Sequence, residues 1–124
     1  MSLSGQPVTN VELVERLCTD SPALREMRRR HVRNFDVLIP HVFMADVLAH
    51  VGSLFRMGIP LADAPSLNDV RAVLASLEEG MKRGDRETRN VIALSFVSDG
   101  ETEPFFPHLK PMLGTKLMAQ TRGK

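Results

Sequence analysis

Apolar side chains recur at helical spacing through most of the chain. Val11, Leu13, Val14 and Leu17 form one apolar stripe. Thr9 or Asn10 can cap it, and Glu12, three positions after Thr9, fits a reciprocal capping box. "TDSP" breaks this element. Ser21 then caps a second helix with Pro22 at its first position, where a missing N–H has no cost. This helix runs to about Arg33 with few apolar positions: Leu24, Met27, His31 and Val32. "NFDVLIP" reads as a connection, because the residue before Pro40 avoids helical geometry. Pro40 opens a third helix whose apolar residues reach nearly all round, from Val42, Phe43 and Met44 to Leu54 and Phe55. Such a helix is expected at the centre of a fold. Gly58 is its expected C-cap.

"IPLADAPS" reads as a linker. Ser66 is expected to cap the next helix, with Asp69 three positions on. Val70, Val73, Leu74, Leu77 and Met81 then follow the i, i+3, i+4, i+7 rule of an amphipathic helix. Gly84 ends it. Asp85 caps its successor, and Glu87 places negative charge at the positive end of the helix dipole. Val91, Ile92, Leu94, Ser95, Phe96 and Val97 are expected to bury. A strand over "NVIALSFV" competes, since the run is partly β-branched, but the capped start favours helix. Short helices are expected near Pro104–Leu109 and Pro111–Gln120. No period-2 pattern of useful length occurs. The expected class is all-α: a compact bundle of about six helices, in which the helices joined at Gly84-Asp85 form a HEAT-like antiparallel hairpin. Residues 1–8 are expected as a flexible tail and 9–121 as one helical domain.

Composition narrows the function classes. The chain has 124 residues with 43% hydrophobic and 25% charged, enough for a core without disulfides or metal. The net charge of +1 argues against a surface built wholly for nucleic acid. One cysteine, Cys18, cannot form an internal disulfide, so a cytoplasmic protein is expected, with Cys18 as a small buried side chain. No apolar run is long enough to span a membrane, and no signal peptide is expected. Tyrosine and tryptophan are absent, so any interface must lean on Arg, Phe, Met and Leu.

Three sets of residues could carry chemistry. "REMRRRHVR" holds five arginines against one glutamate. Arg25, Arg29 and Arg33 share a helical face by four-residue spacing, with Arg28 and Arg30 beside it. They could grip an acidic protein or phosphates, or simply be solvated near the helix C-terminus. The acidic loop "SDGETEPFFP" offers Asp99, Glu101 and Glu103 next to Phe105 and Phe106. It is a candidate partner-binding edge if either ring is exposed. Asp46 and His50, four apart on the third helix, form a possible polar pair, as a metal half-site, an acid/base couple or a helical hydrogen bond. His41 lies about 140° round the helix from Asp46. No HExxH, paired-cysteine site, phosphate loop or nucleophile elbow is present, and none of the four histidines sits in a recognised nucleophile–base context. Neither an enzyme nor a cofactor is expected.

Three segments in order, "FDVLIPHVFMADVLAHV", "VRAVLASLEEGMKRGDRETRNVIALSFVSDG" and "LKPMLGTKLMAQ", resemble a family of short bacterial proteins of unknown function. The pattern is PHxxMxD, then LEEGxxxGDxxxxNxIAxSF, then LxPxLGxxL. It falls on Pro40, His41, Met44 and Asp46. It continues through Leu77–Gly80, Gly84, Asp85, Asn90, Ile92, Ala93, Ser95 and Phe96, and closes on Leu109, Pro111, Leu113, Gly114 and Leu117. The resemblance covers about half the chain and excludes the arginine helix. By analogy with helical immunity-type and HEAT-like proteins it implies protein binding. The expectation is a cytoplasmic protein-interaction module. Nucleic-acid binding through Arg25–Arg33 is the first alternative, and an enzyme or metal protein using Asp46 and His50 the second. A homodimer through Met- and Leu-rich faces is a further possibility.

Overall fold

The computed structural model describes residues 8–35, 39–56 and 64–121. Seven α-helices and no strand occur among them. They are α1 (Asn10–Asp20), α2 (Pro22–Phe35), α3 (Pro40–Arg56), α4 (Ala64–Arg83), α5 (Arg86–Ile92), α6 (Phe106–Leu109) and α7 (Thr115–Met118). Helix α5 continues as a π-helical segment, Ala93–Ser98, and a 3-10 turn, Lys110–Met112, follows α6. The run Val91–Val97 is therefore helical, and the all-α bundle stands.

The capping side chains act as their spacing predicts. Thr9 and Glu12 form the reciprocal box at 3.0 and 3.3 Å. Ser21 Oγ accepts the Leu24 amide, and Asp85 Oδ1 accepts the Thr88 amide at 2.8 Å. Ser66 does not cap α4, because that helix starts at Ala64. Pro65 is compatible with a first helical turn, where its missing donor would go unused, so the helix extends past it. The expected cap at Gly58 lies outside the described residues.

Helix α3 is the central element, packing on α2, α4, α5 and the π-helical segment. It buries Phe43, Met44, Val47, Leu48, Val51 and Phe55. Phe43 and Phe96 are the largest fully buried side chains; truncating a ring so placed typically costs about 3–5 kcal/mol. Helix α1 packs on α4 and also meets α2 and α5. Four residues of the expected apolar stripes point outward: Val11, Val32, Val42 and Leu94. In the run 91–97 successive residues step round the helix, so a one-sided core cannot hold them all, and Leu94 is the one left out.

Helices α4 and α5 form the expected hairpin: Gly84 lies against Thr88 and Gly80 against Ile92, an antiparallel pairing. The joint is tight. A Cβ at Gly84 would run into the carbonyl oxygen of Gly80. Val8, expected in the tail, is instead held at this joint in a parallel bridge to Gly84. Its amide donates to Arg83 O at 2.7 Å, and its carbonyl accepts the Asp85 amide at 3.0 Å and the Thr88 hydroxyl at 3.1 Å.

Candidate functional site

The arginines of α2 divide between two surfaces. Arg25, Arg29 and Arg33 stand exposed on the outer stripe, Arg29 paired with Glu26 at 2.8 Å. Val32 lies four positions after Arg28 and seven after Arg25, so it borders that stripe. Arg28 is half-buried. Arg30 projects to the other side and lines a cavity of about 340 Å³ between α2 and α3, with Met27, His31, Asn34, Phe35, Val42 and Asp46. Five large hydrophobic side chains are exposed among the described residues: Val32 (40%) borders the arginine stripe, while Phe35 (46%) and Val42 (37%) line the cavity.

His31 forms the buried wall of this cavity, with a side chain 0% exposed. Phe35 tilts over its ring at 4.9 Å and Phe43 meets it edge-on at 5.8 Å. Its Nε2 accepts the Ile39 amide at 2.8 Å, which ties the end of α2 to the start of α3. In the neutral ring the proton therefore sits on Nδ1. That donor has no hydrogen-bond acceptor among the described residues. The carboxylate oxygen of Asp46 stands 3.9 Å away, beyond hydrogen-bond range.

Asp46 and His50 are thus not brought together. His50 Nε2 meets Asp69 Oδ2 at 2.7 Å, because α4 lies alongside α3 and offers a closer carboxylate than the neighbour one turn back. The His50 and Asp69 side chains are 12% and 20% exposed, and the contact clamps α3 to α4.

His41 Nδ1 lies 2.6 Å from the hydroxyl of Ser95, in the π-helical segment. This pair was missed in the sequence, where its members stand 54 positions apart. Both belong to the family-like pattern, which was the one signal available. A serine–histidine contact has the geometry of a nucleophile and base. The serine is buried, His41 makes no second hydrogen bond among the described residues, and the contact joins α3 to the π-helical segment.

The acidic loop lies at the far end of the sequence. Asp99 is exposed, and Glu101 and Glu103 are half-buried along a groove of about 750 Å³ floored by Pro104, Phe106 and Pro107 and ending at Lys110. Both phenylalanines close the core, Phe105 stacking on Phe55 at 5.6 Å. The groove keeps its acidic rim but offers no exposed ring. Cys18 is buried with Sγ 3.6 Å from Leu24 O. Burial raises its thiol pKa, against an opposing pull from Arg28 and Arg25. No group of three or more His, Cys, Asp or Glu able to hold a metal ion occurs among the described residues, and no described helix is long and apolar enough to cross a membrane. No family model, curated protein or solved structure matches the chain.

Proposed function

We propose that the chain is a non-enzymatic, cytoplasmic protein-interaction module that covers an acidic surface of its partner with helix α2, in the manner of an immunity protein. One observation carries the reading: the exposed arginines Arg25, Arg29 and Arg33 border exposed Val32, while the other side of the same helix carries exposed Phe35 beside Val42. A merely solvated helix face gains nothing from bare valine and phenylalanine. Arginine beside apolar area is the composition of protein interfaces, where guanidinium groups pair carboxylates and the apolar groups leave water. The acidic rim at Asp99, Glu101 and Glu103 supplies a second contact of opposite sign. The family resemblance points the same way by analogy.

Affinity capture with the intact chain from its native host, repeated with R25E/R29E/R33E, tests this reading. Reversal is expected to weaken partner binding at least about a hundredfold, since each lost charge pair becomes a repulsion. Partner affinity unchanged by reversal removes the arginine surface from the function.

Nucleic-acid binding has one observation in its favour, the half-exposed Phe35 ring two positions after Arg33, on which a base could stack. It predicts that affinity for a single strand falls roughly 20-fold between 50 and 200 mM salt if the three arginines each neutralise a phosphate. Absence of binding at the lower salt ends that reading.

A further inference from the structure

We propose that the cavity between α2 and α3 is a socket for a tyrosine side chain of the protein partner, its phenolic hydroxyl inserted between His31 and Asp46. The proposal rests on the reading of the α2 edge as protein-binding and names the anchor of that interface.

The buried ring sets the chemistry. Nε2 of His31 is committed to the Ile39 amide, so Nδ1–H is a donor without an acceptor among the described residues, 3.9 Å from the Asp46 carboxylate oxygen. A group placed between them must accept from the imidazole and donate to the carboxylate. A hydroxyl does both. A carbonyl or carboxylate only accepts, and would set its oxygen against that of Asp46. An ammonium only donates, and would oppose the imidazole N–H. A hydroxyl bonded on both sides holds its partners roughly 4.5 Å apart. The 3.9 Å separation must therefore open by about half an ångström. Asp46 can yield this, since its side chain is 47% exposed.

The walls set the size. Met27, Phe35 and Val42 line the cavity with apolar surface, and its volume is about 340 Å³. Serine and threonine carry a hydroxyl but no apolar body to fill that space. A phenol carries both, and Arg30 on the lining can rest on the face of its ring. The source is fixed by composition. The chain contains no tyrosine, so neither another segment of it nor a second copy can supply one. Arg30 on the lining favours acidic side chains beside the tyrosine.

The test is an NMR titration of the full-length labelled chain with p-cresol, using toluene and 4-methylanisole as controls. p-Cresol should shift the Val42 methyl and His31 ring signals with a Kd at least about tenfold below that of toluene. It should also outbind 4-methylanisole, which can accept from His31 but cannot donate to Asp46. Asp46→Ala should abolish the preference over 4-methylanisole and leave toluene binding unchanged; a preference that survives overturns the assignment. p-Cresol binding no better than toluene overturns it too. The peptide Ac-Glu-Glu-Tyr-Glu-Glu-NH2 should bind at least about tenfold tighter than p-cresol and lose that advantage with phenylalanine in place of tyrosine. A peptide no better than p-cresol would make this a free-phenol site and defeat the partner claim. In Arg30→Glu the peptide advantage should disappear, whereas in R25E/R29E/R33E the p-cresol preference should persist. The triple variant separates the two readings: loss of partner capture with no p-cresol preference in the parent chain sinks the socket alone.

Discussion

Asp85 accepts the Thr88 amide, and that bond, with a smaller contribution from the Thr88 side chain, holds its carboxyl below the usual carboxylate range. A depressed carboxyl stabilises the fold fully above its unfolded value of about 3.9, and that share is lost as pH falls through the lower folded value. Asp85→Ala should therefore cost about 1 kcal/mol near neutrality. In urea titrations the gap between the two proteins should shrink below pH 4; a gap constant from pH 7 to pH 2 would contradict the cap. Cys18 works the other way. Burial raises its pKa, so little thiolate forms at neutral pH. Ellman's reagent should react with it at least about a hundredfold slower in the native chain than in denaturant. At this scale the sequence was legible where partners are local. Thr9, Ser21 and Asp85 each bond a group three positions away. His41–Ser95 and His50–Asp69 were not legible, because their distances exist only after the helices have packed.

Helix α7 is too short to hold itself. Two of its N-terminal amides, Lys116 and Leu117, donate to the two carboxylate oxygens of Glu78 on α4, at 2.7 and 3.0 Å. This is an N-cap supplied from 38 positions away. Glu78→Ala is expected to cost about 1–2 kcal/mol and to strip hydrogen-exchange protection from both amides. Gly114→Ala should act on the same interaction, since its Cβ would come within 2.6 Å of the Glu78 carboxyl carbon. The double variant should then be less than additive; strict additivity would show that the glycine matters for another reason. Apolar periodicity predicted α3 and α4 well, because one buried face repeats over many turns. The π-helical segment escaped it. A continuous apolar run has the same composition in either geometry, and only packing against α3 decides the wider turn.

At the scale of the molecule, the two charge clusters stand on different elements. The arginine stripe lies on α2, while Glu101 and Glu103 rim the groove beside α6. The bundle itself was legible from its stripes and caps; its closure was not. Val8 was expected in the tail, yet it is buried and shares three hydrogen bonds with the α4–α5 joint. Val8→Pro, which deletes the donor to Arg83, should lower stability by about 1–2 kcal/mol more than Val8→Ala, measured by thermal unfolding. That bridge has a consequence for synthesis. Val8 leaves the ribosome 80 residues ahead of Thr88. A nascent polypeptide stalled anywhere upstream of that threonine has no mate for its valine, and the entry to α1 stays open to proteases until a single late event seals it.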